Sequence, residues 1–272
     1  MLYKWVDPPT TYMHLTCDCP EGTVFHKEWI DGDKISLNMK LAVVASEDNN
    51  FMKHGGIDWG AVEKAKKYNE TIGKKKGRTR GASTISQQTA KNVFLWPGRT
   101  YLRKGLEVYF TYLIEWIWGK DRIMEVYLNV IETGPCKFGV QAAAKDFFRT
   151  DASKLTKEEA AMIAGCLPNP VKYNIAKPGN YLRKRQGQIV RLMNLIGSNY
   201  FERYKNADSK KEKEVEDQKT RQLIDSLREE DLPEKVEEEK TTDDQPETPV
   251  EQDTPTDDNK SVEEIVIPDT IQ

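Results

Sequence analysis

Gly81-Ala82-Ser83-Thr84-Ile85-Ser86-Gln87-Gln88-Thr89-Ala90-Lys91-Asn92 is the segment that gives the rest of the chain its meaning. Its pattern predicts a helix that starts at Ser83 and runs to about Phe94, stopped by Pro97-Gly98. Thr84, Gln88 and Lys91 stand at i, i+4 and i+7, so they share one face that is polar and ends in a cation. Ile85 and Val93 lie toward another side and can anchor the helix. A face that only meets water is usually built from Glu and Lys, whereas this one offers Thr, Gln and Asn. A solvated face and a ligand-binding face both stay open. The turn at Gly81 leaves backbone N–H groups free at the helix N-terminus, a ready place for an anion.

Charged clusters flank this segment. Upstream, Ser36 is a plausible N-cap for an apolar helix through Leu37, Met39, Leu41, Val44 and Ala45. It ends in Glu47-Asp48, with Phe51, His54 and Gly55-Gly56 close behind. Apolar surroundings disfavour a carboxylate's charge and make it a better base near neutral pH. Taken alone, the same residues also read as a solvated helix end. Downstream, Arg103-Lys104-Gly105-Leu106-Glu107 holds an i,i+4 pair. On a surface such a pair contributes about 0.3–0.5 kcal/mol; in a cleft it brings a second carboxylate and two cations. Lys120 to Asn129 has the apolar spacing of a packing helix, with Lys120 or Arg122 able to face an anion.

Further helices are expected over 102–118, 121–130, 142–148, 157–165 and 180–196, and strand signals are scarce. The fold class is mostly α. Residues 64–80, which include Lys74-Lys75-Lys76-Gly77-Arg78, read as a basic surface loop. Residues 1–35 are irregular, 201–230 form a charged and partly helical extension, and 231–272 form an acidic disordered tail.

The tail holds 15 acidic residues and 3 lysines, net −12 against −3 for the whole chain, which leaves +9 for residues 1–230. A basic body points to an anionic partner. Cys17, Cys19, Cys136 and Cys166 form no C-x-x-C pair and there are three histidines, so no metal site is expected. The pairing of these cysteines is left open. No apolar run reaches the roughly 18 residues of a membrane span.

Two carboxylates flanking a sugar bond are the basis of glycoside hydrolysis. A hydrolase, however, needs a protonated acid for a poor leaving group. A transferase that uses a sugar pyrophosphate needs one base for the attacking hydroxyl, and cations for a leaving group that is already a stable anion. The excess of cations favours the transferase.

These segments resemble the family 51 glycosyltransferases, the peptidoglycan polymerases found alone or fused to penicillin-binding transpeptidases. The resemblance spans residues 36–196 and rests on E-D-x-x-F-x-x-H-x-G at Glu47–Gly56, G-A-S-T-I-S-Q-Q-x-x-K-N at Gly81–Asn92, R-K-x-x-E at Arg103–Glu107, K-x-x-I-x-E-x-Y-L-N at Lys120–Asn129, and Phe138–Ala144. It implies a lysozyme-like glycosyltransferase domain over 36–200 with a smaller, membrane-facing jaw lobe. It also implies processive polymerisation of lipid II into β-1,4 glycan, with release of undecaprenyl pyrophosphate.

By that resemblance Glu47 is the general base and Glu107 the second catalytic carboxylate. Asp48, Phe51 and His54 shape the site, and Lys91, Arg103 and Lys104 bind phosphate beside Ser83, Thr84, Gln88 and Asn92. The basic 64–80 segment corresponds to a mobile loop over the donor cleft. No cofactor is required, and a divalent cation stimulates some members. The implied partners are lipid II, the growing glycan, the membrane, and cell-wall synthesis or division proteins, with no nucleic acid. The implied place is the inner membrane, with the catalytic domain on its periplasmic face.

No S-x-x-K, S-x-N and K-T-G set follows, so no transpeptidase is expected. Family members normally carry an N-terminal transmembrane helix, and here Met1 falls where that helix would end; either the recorded start is internal or this is a truncated form. The rivals are a lytic hydrolase with the same carboxylates and a non-catalytic lipid II scaffold. A nucleic-acid binder has only the 64–80 charges in its favour.

Overall fold

Helix α1 (Leu37–Glu47) is buried around almost its whole circumference, which makes it the axis of the domain. Ser36 caps it by accepting the Met39 N–H, as its sequence suggests. The structure, a computed structural model, describes residues 2–8, 11, 19–77, 79–98 and 100–205. Cys17 and the expected extension and tail beyond residue 205 lie outside them.

α2 (Trp59–Tyr68) follows, then α3 (Ile85–Phe94), α4 (Tyr101–Ile117) and α5 (Gly119–Val130). β2 (Glu132–Gly134), β3 (Lys137–Phe138) and the short α6 (Val140–Ala143) come next, then α7 (Lys157–Cys166), α8 (Asn180–Ile196) and α9 (Tyr200–Lys205). α7 and α8 pack on α1 and on each other, while α3 packs between α4 and α5. One apolar cluster runs through both groups, from Val44 and Phe51 through Ile85, Ile123 and Tyr127 to Ile163 and Ile189. The mostly helical architecture agrees with the expected lysozyme-like fold.

With β1 (His26–Lys27), the three-stranded sheet is small, in the order β1-β3-β2. β1 pairs in parallel with β3, and β3 is antiparallel to β2. It ties the N-terminal segment to the hairpin after α5, and a Cys19–Cys136 disulfide ties it again with its Cα atoms 5.6 Å apart. Cys166 is a free, buried thiol. Gly139, just after β3, has φ +84°, and a Cβ there would lie 2.8 Å from the Asn129 carbonyl oxygen. Only glycine lets the hairpin come this close to α5.

Side chains of α5 order the segment read as irregular. Asn129 accepts the Ile30 N–H at 2.8 Å and donates back to the Ile30 carbonyl at 2.9 Å. Glu125 accepts the Gly32 N–H at 3.1 Å. Arg122 donates to the carbonyls of Tyr3 and Val6 and pairs with Asp7 at 3.0 Å and Glu125 at 2.9 Å. Arg122 is thus a clamp on the N-terminal segment.

The sequence reading of 64–80 as a loop is corrected. α2 continues through a wider helical turn at Asn69–Gly73 and another at Lys74–Lys76, and ends at Gly77 with φ 61°. Ala65 and Tyr68 are buried beneath the charged face, and Asp58 caps the helix start. Lys64, Lys66, Lys67, Lys74 and Lys75 are the solvated side of an amphipathic helix, and their density hid the sparse apolar period. Asn69 then holds both the N–H and the carbonyl of Arg80, whose guanidinium lies 4.0 Å over the Tyr68 ring. No described helix is long and apolar enough to cross a membrane.

Candidate active site

α1 ends at the site. Its last residue, Glu47, is half-buried, and its carboxylate Oε2 accepts a hydrogen bond from Gln88 Nε2 at 3.0 Å. Gln88 Oε1 in turn accepts from the Tyr127 hydroxyl at 3.3 Å. Glu47 is therefore fixed from α3, and Gln88 is fixed from α5.

Asp48 turns the other way and is buried. Its Oδ2 accepts the Ile85 N–H at 3.1 Å, and His54 Nε2 lies 2.9 and 3.0 Å from its two oxygens. His54 Nδ1 accepts the Gly56 N–H, so the ring proton sits on Nε2 and is donated to Asp48. The N-terminus of α3, expected as an anion site, already holds this internal carboxylate. Thr84 is its N-cap and forms a capping box with Gln87; its hydroxyl also donates to the Gly56 carbonyl at 2.5 Å. The helix therefore starts at Ile85, two residues after the expected Ser83, which stays exposed.

Lys91 lies one turn beyond Gln88, about 4.5 Å along the axis at 1.5 Å per residue. Burial lowers its pKa below the ordinary 10.5; Arg103 and Lys104 add to the lowering, and Glu107 and Glu132 oppose it. Glu107 is 3% exposed. It accepts from Arg103 Nη1 at 3.0 Å and from Lys104 Nζ. The pair that could have been a surface ion pair is thus the buried heart of a cation cluster. Arg103 Nε has no hydrogen-bond partner among the described residues. Glu132, in β2, has its pKa raised by burial, against a hydrogen bond from the Cys136 N–H and attraction to Lys91.

A family profile described as Transglycosylase matches residues 19–194. The chain belongs to the transglycosylase family. Among similar proteins, the biosynthetic peptidoglycan transglycosylase of Bacteroides thetaiotaomicron is 59% identical over 168 residues, covering 62% of this chain and 66% of that one. The proteins of the same name from Mannheimia succiniciproducens and Bdellovibrio bacteriovorus are 51% and 47% identical, covering 65% and 70% of this chain and 70% and 76% of theirs. This chain thus spans about two thirds to three quarters of its relatives' length. Membership makes it a glycosyltransferase of peptidoglycan synthesis, as the sequence motifs implied.

Within this transglycosylase, the structure gathers Glu47, Gln88, Lys91, Arg103, Lys104 and Glu107 around α3 and the first turns of α4. It gives Asp48, His54 and Thr84 internal partners, buries Phe51 completely, and leaves Ser83 exposed; Asn92 is half-buried on α3.

In a second polar cluster, sequence reasoning singled out Lys120 as able to face an anion but passed over its partners Glu115 and Ser86. Glu115 accepts from Ser86 Oγ at 2.5 Å and from Lys120 Nζ at 2.6 Å, and that ammonium lies 4.5 Å over the Phe51 ring. Burial lowers the Lys120 pKa, while Glu115 and, more weakly, Asp48 resist the shift. Tyr127 and Glu132 were passed over as well. Tyr127 stood inside the fourth motif but carried the apolar period; Glu132 had no pattern to mark it.

Proposed function

We propose that this glycosyltransferase polymerises lipid II. The acceptor's 4-hydroxyl forms a β-1,4 bond to the anomeric carbon of the growing chain. The bond from that carbon to the lipid pyrophosphate breaks, and undecaprenyl pyrophosphate leaves with the electron pair. Glu47 takes the acceptor hydroxyl's proton. Lys91, Arg103 and Lys104 stabilise the charge on the departing pyrophosphate, and Glu107 holds Arg103 and Lys104 in place. The observation that carries this reading is α3 itself. It fixes the base through Gln88 and presents the Lys91 cation one turn away, beside the Arg103–Lys104–Glu107 cluster. A hydrolase does not need cations in that place.

The chemistry needs no cofactor, since the leaving group is a stable anion. A divalent cation, if bound, would be held by Glu107 and would add positive charge for the departing pyrophosphate, and chelation would then slow the enzyme without stopping it. Lipid attraction is supported by α4. Leu102, Tyr109, Tyr112 and Trp116 fall on the face opposite Arg103, Glu107, Thr111 and Ile114, and are 71%, 60%, 45% and 81% exposed. Aromatic side chains with polar tips suit a bilayer interface. The Cys19–Cys136 disulfide supports an oxidising, extracytoplasmic setting at the outer face of the inner membrane. Cell-wall synthesis or division proteins are the proposed partners there.

The test is incubation with labelled lipid II. Formation of glycan polymer with release of the lipid pyrophosphate supports the proposal. Cleavage of finished glycan without polymer would make this a lytic enzyme, and binding without either reaction would make it a scaffold.

A further inference from the structure

Tyr127 is fully buried on α5, two side chains away from the reacting carboxylate. Its hydroxyl reaches Gln88 Oε1 at 3.3 Å, and the other end of the same amide reaches Glu47 Oε2 at 3.0 Å. A glutamine amide can sit either way round, and the two orientations have opposite effects here. With Nε2 toward Glu47, the amide donates to the ionised carboxylate. With Oε1 toward Glu47, two oxygen acceptors meet and the ionised form is disfavoured. What stands behind the amide chooses between them.

From these contacts we infer that Tyr127 is a positioning residue for the base: as a donor to Gln88 Oε1, it holds the amide with its N–H₂ on Glu47. The inference rests on Glu47 as the base of glycosyl transfer. Burial and the neighbouring Glu47 and Asp48 raise the Tyr127 pKa well above 10.0, so its hydroxyl keeps a proton to donate to Gln88 Oε1. A phenylalanine would fill the same volume and leave the amide unheld.

The other ionisable groups around Glu47 keep their partners in such a variant. Asp48 remains bound to His54 and the Ile85 N–H. Cys166 on α7 feels Glu47 and Glu132, but burial pushes its thiol up to about 12, so it stays uncharged. Glu132 in β2 and Lys91 on α3 attract each other electrostatically. Arg185 on α8 donates to the Ser46 carbonyl at 3.3 Å.

The experiment is the initial rate of lipid II polymerisation by the full chain between pH 5 and 9, for wild type, Tyr127→Phe, Gln88→Met and the double variant. Tyr127→Phe is expected to keep its melting temperature and KM, to lose about tenfold in kcat near pH 7, as one weakened hydrogen bond to a charged group would give, and to move the acidic limb of its kcat profile to higher pH. Added to Gln88→Met, it should cost nothing more, because both act through one amide. An unshifted limb, or losses that multiply in the double variant, would overturn the inference. If Tyr127→Phe fails to fold, Gln88→Met carries the test, since it leaves the tyrosine packed. Wild type making no polymer, or Glu47→Gln still making it, would instead reject the reaction or the base.

Discussion

Glu47 and Lys91 illustrate two ways in which a residue can be placed for function. Glu47 is held by a neutral amide, so Glu47→Gln changes little of the packing and removes only the acceptor of a proton. The expected outcome is an unchanged melting temperature and a kcat about 10²–10⁴ lower, the usual weight of a general base; retained polymerisation would remove Glu47 from that role. Lys91 is held at a cost. Burial lowers its pKa from 10.5, so at neutral pH the folded state binds this proton less readily than the unfolded chain. Between the lowered value and 10.5 the unfolded state carries more protons, so stability rises with pH across that window. Lys91→Met should therefore melt at a higher temperature at pH 7, lose that alkaline gain, and show a raised KM for lipid II. A melting point that falls would show that Glu107 and Glu132 repay the burial in full.

At the scale of elements, the hairpin after α5 depends on one contact. Gly139→Ala sets a Cβ 2.8 Å from the Asn129 oxygen at a positive φ, and should lower stability by about 1–3 kcal/mol, read from the urea midpoint; an unchanged midpoint would mean the hairpin can move away freely. This contact was invisible beforehand, because nothing in a single glycine says which backbone it meets. Where one apolar period and a clear stop coincide, the sequence was enough: α8 runs from Asn180 to Ile196 as its pattern requires. α2 failed the same reading because Ala65 and Tyr68 are a thin apolar signal among lysines. The site divides similarly. Motif spacing marked Glu47, Gln88 and Glu107, but not that Asp48 spends its carboxylate on the α3 N-terminus, nor that Tyr127 stands behind Gln88. Those are facts about partners from distant elements, which spacing along one helix does not encode.

At the scale of the molecule, the proposed lipid contact predicts a separation of properties. Replacing Tyr109 and Trp116 with serine should leave the fold intact, because both face away from the core. It should weaken partition into anionic lipid vesicles about tenfold or more, the loss of ~1.5–3 kcal/mol per buried aromatic being ample; unchanged partition would clear α4 of a membrane role. The Cys19–Cys136 bond spans 117 residues, and α1 to α5 all lie between its ends. The proposed catalytic residues on these helices therefore sit inside one closed covalent loop. A protease that cuts the exposed lysine-rich turns after α2 would nick this loop without releasing either piece. The nicked protein should run as one species on a non-reducing gel and as two after reduction.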